Sequence, residues 1–372
     1  MRTDWRLILL LFLVGLFAAA QFAKVALTLQ PLEAMYPARA LPFAVSAQSV
    51  MGILFGVTAG VVVARLGVRH VLIGALAAGA VLSALQALMP PFEVFMALRL
   101  AEGAAHLALV VAAPTLMSAV AAPRDIPVAM GLWGTFFGVG FALSAVLVPL
   151  LGSPSTVYLA HGVGLLGLAV FLWPLLPRAV VRAEGSEGLI ARHLAIYRNP
   201  RIFAGAAGFL WHAATFLGLL TFLPRFLGAW TGPVLPIAAL IGTMGAGVLA
   251  RRITPGRITA FGYASSIAGL ILLVLLPEGL RAPLALFVFV LIGLIPGGSF
   301  ATIPALNPDP ADRARGNGAL AQMGNLGTFL SVPLFAATLG AGLAGPVIMA
   351  VAISAVGLGA LWLIHRKIAE TA

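Results

Sequence analysis

Twelve apolar runs, each near the length that spans a bilayer, fill almost the whole chain. They fall at roughly 6–30, 41–64, 69–89, 94–120, 127–151, 156–177, 202–224, 233–250, 258–277, 283–305, 318–340 and 346–365. About 20 apolar residues carry a helix across the hydrocarbon core. Such a segment must satisfy its own backbone hydrogen bonds, so the pattern predicts helices rather than isolated strands. Charged residues make up 9% of the 372 residues, against about 25% in a soluble domain. That supply cannot cover a water-facing surface, which excludes a soluble enzyme, a disordered chain and a nucleic-acid-binding module. The expected fold class is an all-α polytopic membrane protein whose main partner is the lipid bilayer. The absence of cysteine removes disulfides, thiolate metal sites and cysteine nucleophiles. The first run is too long for a signal peptide, has no clear small-residue cleavage site and leads straight into further spans.

The net charge of +11 lies in short loops between the runs, as membrane topology requires. With the N-terminus in the cytoplasm, 17 of the 22 Lys and Arg residues fall on the cytoplasmic side and only Arg39, Arg225 and Arg281 on the other. This is a strong positive-inside asymmetry. Both termini come out cytoplasmic, and Lys24 and Arg99 are left inside spans.

The chain also repeats itself at an offset near 187. Gly60 to Arg65 corresponds to Gly247 to Arg252, Pro37 and Arg39 to Pro224 and Arg225, and Gly131 to Gly318. Three matches at one offset and at equivalent loops predict two pseudo-symmetric six-helix bundles, residues 1–177 and 202–372. Residues 178–201 form the link, the longest polar stretch, in which Ser186 could cap a short interfacial helix with Leu189, Ile190, Leu194 and Ile196 on its apolar side.

Two homologous six-helix halves joined by a cytoplasmic link resemble the major facilitator superfamily along essentially the whole chain. The best local motif joins the second and third spans and reads Gly60-Val-Val-Val-Ala64-Arg65-Leu66-Gly67-Val68-Arg69. The family pattern has Asp where this chain has Ala64 and a basic residue at Val68. Gly67 permits a sharp turn. Arg65 and Arg69 can pair with acids or helix C-termini, with Asp125 a candidate partner, or they can serve topology alone. The resemblance makes this loop, with its counterpart Arg251 and Arg252, a latch on one side of the transporter. A second motif, Arg99-Leu-Ala-Glu102-Gly103, lies in the fourth span. In the fifth, Gly131, Gly134, Gly138 and Gly140 recur without the proline of the family pattern, a spacing that suits close helix packing.

Ionisable groups at membrane depth cost roughly 2.5–3.5 kcal/mol on insertion scales and are seldom idle. The spans contain Lys24, Arg99, Glu102, His106, His161 and His212, and Glu102 is the only acid. Arg99, Glu102 and His106 recur at i, i+3 and i+7 and so form one stripe, about 10 Å deep. Gln21, Lys24 and Thr28 form a second stripe in the first span. The resemblance places these stripes opposite each other across a water-filled cavity. If Arg99 and Glu102 neutralise each other, Lys24 has no acidic partner and the cavity carries one surplus positive charge that an anionic substrate balances. Alternatively Lys24 snorkels to the interface. His106 and His212 either carry protons or pack as neutral rings, and His161 is the least suited to function.

Trp211 can stack on a substrate or face lipid. Pro296-Gly297-Gly298-Ser299 breaks the tenth span, either to expose polar backbone to substrate or to flex. Gln48, Gln322 and Asn325 suit interhelical hydrogen bonds. There is no phosphate loop, HExxH or nucleophile elbow, so neither a cofactor, a metal nor an enzyme is expected. The resemblance implies a self-sufficient monomer in the inner membrane that moves a small-molecule substrate by alternating access. The favoured substrate is a small organic or inorganic anion held by Lys24, Arg99, Gln21, Trp211, His212, Gly297 and Asn325, with protons coupled through Glu102 and His106. The rivals are a proton-driven exporter of amphipathic cations and a non-transporting receptor or assembly subunit on the same scaffold.

Overall fold

The computed structural model describes residues 3–122, 125, 129, 132–176, 196–308 and 310–370. Within helices it leaves aside the side chains at 57, 58, 60–62, 64, 65, 118, 310, 311, 313 and 314. Twelve long helices follow one another in the order α1 Trp5–Leu27, α2 Ser49–Leu66, α3 Val68–Ala87, α4 Phe92–Val120, α5 Phe136–Leu150, α6 Pro154–Leu172, α7 Pro200–Phe222, α8 Thr231–Leu249, α9 Pro255–Leu275, α10 Glu278–Leu306, α11 Pro310–Ala336 and α12 Ala344–Glu370. Among the described residues, nine of them are long and apolar enough to cross a membrane by length and composition; α2, α5 and α11 are the other three.

The helix starts follow from local chemistry. Asp4 accepts from Leu7 N at 3.0 Å at the head of α1. Ser153 does the same for Thr156 N before α6, and Asn199 for Arg201 N and Ile202 N before α7. Pro154, Pro200 and Pro255 occupy first helical positions, where a missing N–H costs nothing. Gly67 alone joins α2 to α3 with φ +82°, a left-handed value that glycine adopts without strain.

Two compact units divide the chain, Met1–Gly185 and Ser186–Ala372. Inside the first, α1 packs on α4, α5 and α6, α4 on α2 and α3, and α3 on α6. Inside the second, α7 packs on α10, α11 and α12, α10 on α8 and α9, and α9 on α12. Adding six to each helix number converts one set of pairs into the other, so the internal repeat extends to the pairing of helices. The expected interfacial helix around Ser186 and the repeat position Gly131 lie outside the described residues.

The tenth span departs from expectation. α10 runs unbroken through Pro296, Gly297 and Gly298. A Cβ on Gly297 would lie 2.6 Å from the Thr243 carbonyl of α8, and one on Gly298 2.9 Å from the Pro255 carbonyl of α9. These glycines let neighbouring backbones approach, which is the use small residues have between membrane helices. Gly297 is therefore a packing position and does not expose an opened backbone.

Candidate functional site: a buried ionic cluster in the first bundle

One carboxylate organises the interior of the first unit. Glu102 on α4 accepts from Lys24 Nζ of α1 at 2.7 Å through Oε1. Its Oε2 accepts from Gln86 Nε2 of α3 at 2.9 Å and from Arg99 Nη1, one turn back on α4. Lys24 is 1% exposed, and Arg99 and Glu102 are 0% exposed. The periodicity of the sequence explains the approach: residues 99, 102 and 106 share the α4 face that meets the Gln21, Lys24 and Thr28 face of α1. Two expectations are corrected. Lys24 does have an acidic partner, because Glu102 has two oxygens and divides them between two cations. The stripes also touch directly rather than across water, and a fully buried Lys24 does not snorkel.

The remaining bonds of the cluster are made with polar groups from every helix around it. Lys24 Nζ also donates to Ser83 Oγ of α3 at 2.8 Å and lies 4.8 Å from the Tyr158 ring centroid. Ser83 Oγ lies 2.8 Å from the Tyr158 carbonyl and 3.0 Å from His161 Nδ1 on α6. His161 Nε2 donates to the Phe17 carbonyl at 3.0 Å, so Nδ1 of a neutral ring is an acceptor that shares the single Ser83 hydroxyl proton with the Tyr158 carbonyl. His161, the least promising histidine in the sequence, is thus one bond removed from Lys24. His106 Nδ1 donates to Gln21 Oε1 at 2.9 Å and meets Phe22 edge-on at 5.1 Å. A cavity of about 240 Å³ in the same bundle reaches Thr28, Pro149, Ser153 and Val157, but Lys24, Arg99 and Glu102 do not line it.

Arg99 has a second task. Its Nε donates to the Ala44 carbonyl at 2.8 Å and its Nη2 to the Val45 carbonyl at 3.4 Å. These carbonyls belong to the short helix Leu41–Ser46, which a turn at residues 47 and 48 separates from α2. Gly103 lies against the Gln48 backbone, so closely that a Cβ there would overlap the Gln48 carbonyl. The expected interhelical bond of Gln48 is not made: its side-chain oxygen and nitrogen, with Ser49 Oγ, Gln86 Oε1 and Gln21 Nε2, are buried without a hydrogen-bond partner among the described residues.

The other sequence candidates are dispersed. Gly60 and Arg65 lie on α2 by their backbone, and the Arg65 side chain is outside the described residues. Arg69 Nη2 donates to the Trp173 carbonyl at 2.7 Å, and its guanidinium lies 4.6 Å from the Trp173 ring centroid. It thus ties the α2–α3 turn to the end of α6. Asp125 accepts from Thr3 Oγ1, which itself accepts from Ala122 N at 2.9 Å, so it anchors the N-terminal segment near the end of α4. Arg251 and Arg252 are exposed between α8 and α9.

In the second unit, His212 stacks on Phe216 at 5.1 Å and tilts against Phe209 at 5.7 Å. Its Nδ1 has no hydrogen-bond partner among the described residues. A Cβ on Gly357 of α12 would lie 2.8 Å from Trp211 Cβ, so Trp211 begins against α12. Asn325 Nδ2 donates to the Ala321 carbonyl of its own helix at 2.9 Å, while Gln322 Oε1 accepts from Tyr197 OH at 2.7 Å. Sequence reasoning missed Ser83 and Gln86. The available signal was their i, i+3 spacing inside an otherwise apolar third span. Among the described residues no group of three or more His, Cys, Asp or Glu could hold a metal.

Comparison with known proteins agrees with this architecture. The family model described as Major Facilitator Superfamily matches residues 7–332. The fold is similar to the crystal structure of a bacterial homolog to the human lysosomal transporter Spinster in an inward-facing and occupied conformation. The TM-score is 0.76 at 15% identity, over 98% of this chain and 97% of that one. The inward-facing and unoccupied structure matches with a TM-score of 0.68 at 16% identity, over 96% of this chain and 92% of that one. No curated protein sequence matches the chain.

Proposed function

The chain belongs to the major facilitator superfamily, a family of multi-pass membrane transporters rather than enzymes, and from that premise we propose that it is a proton-coupled carrier of a small organic or inorganic anion. The observation that carries this reading is the charge of the buried cluster. Lys24 and Arg99 bring two positive charges and Glu102 one negative charge, with all three removed from solvent. An unbalanced charge in a low-dielectric interior is costly, and a bound anion offsets it.

Glu102 is then an internal rival of the substrate. While ionised, it occupies both cations. A proton on Glu102 removes its negative charge and loosens its hold on Lys24 and Arg99, which become available to a substrate carboxylate or inorganic oxyanion. Proton and anion are thereby favoured together. His106, held by Gln21 one turn along α4, stands beside this exchange as a second proton-accepting group. The rival reading, export of amphipathic cations, needs a carboxylate free to meet a cation, whereas Glu102 already meets two. We place both termini in the cytoplasm on the distribution of its Lys and Arg residues, and the protein in the inner membrane as a monomer on its family resemblance alone.

The test is flux in proteoliposomes. Purified protein is reconstituted and given labelled formate, acetate, benzoate or nitrate under an imposed pH gradient, beside a panel of hydrophobic cations. The proposal expects anion uptake that follows the proton gradient and is lost in Lys24→Met. Cation flux indifferent to Lys24 would give the exporter reading the lead, and no flux of any solute would favour a receptor or assembly subunit.

A further inference from the structure

We infer that the interrupted start of α2, formed by Gln48 and Ser49 beside the carbonyls that Arg99 holds, is the subsite that receives the oxygen atoms of a monovalent oxyanion. This rests on the reading of the protein as an anion carrier and names the group that grips the substrate.

In a continuous helix the carbonyls of Ala44 and Val45 would accept from the N–H groups of Gln48 and Ser49. Here those carbonyls accept from Arg99, and pairing resumes with Val50 N to the Ala47 carbonyl at 3.1 Å. An 18-residue helix therefore begins at Ser49 inside the bundle, with Gln48 at its cap position making no side-chain capping bond. The first N–H groups of a helix favour an anion.

The side chains supply an independent observation. Gln48 and Ser49 are both 0% exposed, yet neither the Gln48 amide nor the Ser49 hydroxyl has a partner among the described residues. A buried polar group left unmade is destabilising, so it is seldom retained without a ligand or water to satisfy it. The amide and the hydroxyl together offer directional donors, which suit oxygen acceptors. α4 fixes this segment from two positions, through the Arg99 guanidinium and through the close approach that Gly103 permits. The neighbouring cluster carries one surplus positive charge while Glu102 is ionised, which one monovalent anion at this subsite cancels; a proton arriving on Glu102 then releases Lys24 and Arg99 to strengthen that hold. Formate, acetate or nitrate fits that description, and sulfate overshoots it.

The measurement is ligand-dependent thermal stabilisation of the purified full chain by sodium formate, acetate, nitrate, chloride and sulfate. It compares wild type with Gln48→Met, Ser49→Ala and Lys24→Ala. A ligand that binds only the folded state raises its apparent stability. Without ligand, Gln48→Met and Ser49→Ala are expected to melt no lower than wild type, because they remove polar atoms that have no partner. With formate or nitrate, each should need about tenfold more anion for the same shift, the effect of one lost hydrogen bond to a charged group. If formate and nitrate stabilise wild type and both variants respond undiminished while Lys24→Ala does not, the subsite is wrong and the carrier reading stands. Chloride acting as well as nitrate would overturn the oxyanion assignment. If no anion stabilises wild type, the carrier reading fails and the subsite with it.

Discussion

The two bundles share one arrangement of helices but differ in what they bury. In the first, α1, α3, α4 and α6 converge on Glu102, two cations, a glutamine, a serine and a histidine. In the second, the interior around α7 is aromatic and holds no buried ion pair among the described residues, with His212 in ring contact with Phe209 and Phe216 and Tyr263 OH donating to the Gly208 carbonyl at 2.6 Å. The repeat therefore constrains packing and leaves chemistry free. Close helix crossings recur in both: Gly103 against Gln48 in the first, Gly242 against Val290 and Gly293 against Ala239 in the second. Small residues at crossings are what the shared scaffold demands, while among the described residues the buried ionic cluster belongs to the first half.

The contrast can be broken at its strongest point first. Glu102→Gln keeps the shape but leaves Lys24 and Arg99 buried without their counter-charge. It should destabilise the protein by about 3–5 kcal/mol, read as a large fall in melting temperature. A melt within a degree or two of wild type would mean that the cluster is not the electrostatic centre of its bundle. The shared scaffold is probed next. Gly103→Ala and Gly242→Ala each drive a methyl into a facing backbone carbonyl and should each cost about 1–3 kcal/mol. A cost confined to one of them would show that the bundles do not pack alike.

Smaller effects sharpen the comparison. Arg69→Ala removes a hydrogen bond and a ring contact to Trp173, and should cost about 1 kcal/mol in denaturant unfolding. Arg252→Ala, at the exposed equivalent turn of the second bundle, should stay within about 0.5 kcal/mol. His212→Phe replaces an imidazole whose Nδ1 has no partner by a ring of similar shape. Its melting temperature should stay equal to wild type or rise slightly.

The sequence made some of this legible and hid the rest for physical reasons. Spans were readable because length and hydropathy alone decide whether a helix can cross a bilayer. The Arg99–Glu102 pair was readable because residues three apart on one helix must be neighbours. The Lys24–Glu102 pair was not, since it depends on how α1 and α4 turn toward each other, which no local rule fixes. The same limit hid Ser83 and Gln86, whose partners lie on other helices. Pro296 and the following glycines suggested a broken helix because their intrinsic preferences oppose helix formation. Packing against α8 and α9 overrode those preferences. At Gln48 the expected bond is not made among the described residues: the facing position on α4 is Gly103, which offers no polar side chain.

The central claim is that the charge surplus of the first bundle recognises the substrate. Its most direct test is pH-driven uptake of labelled formate or nitrate into proteoliposomes, compared across wild type, Lys24→Met and His212→Phe. The account predicts that Lys24→Met lowers uptake about a hundredfold or more, as expected when one member of a buried charged contact is removed, and that His212→Phe lowers it far less. Undiminished anion uptake by Lys24→Met, or complete loss in His212→Phe alone, would contradict it.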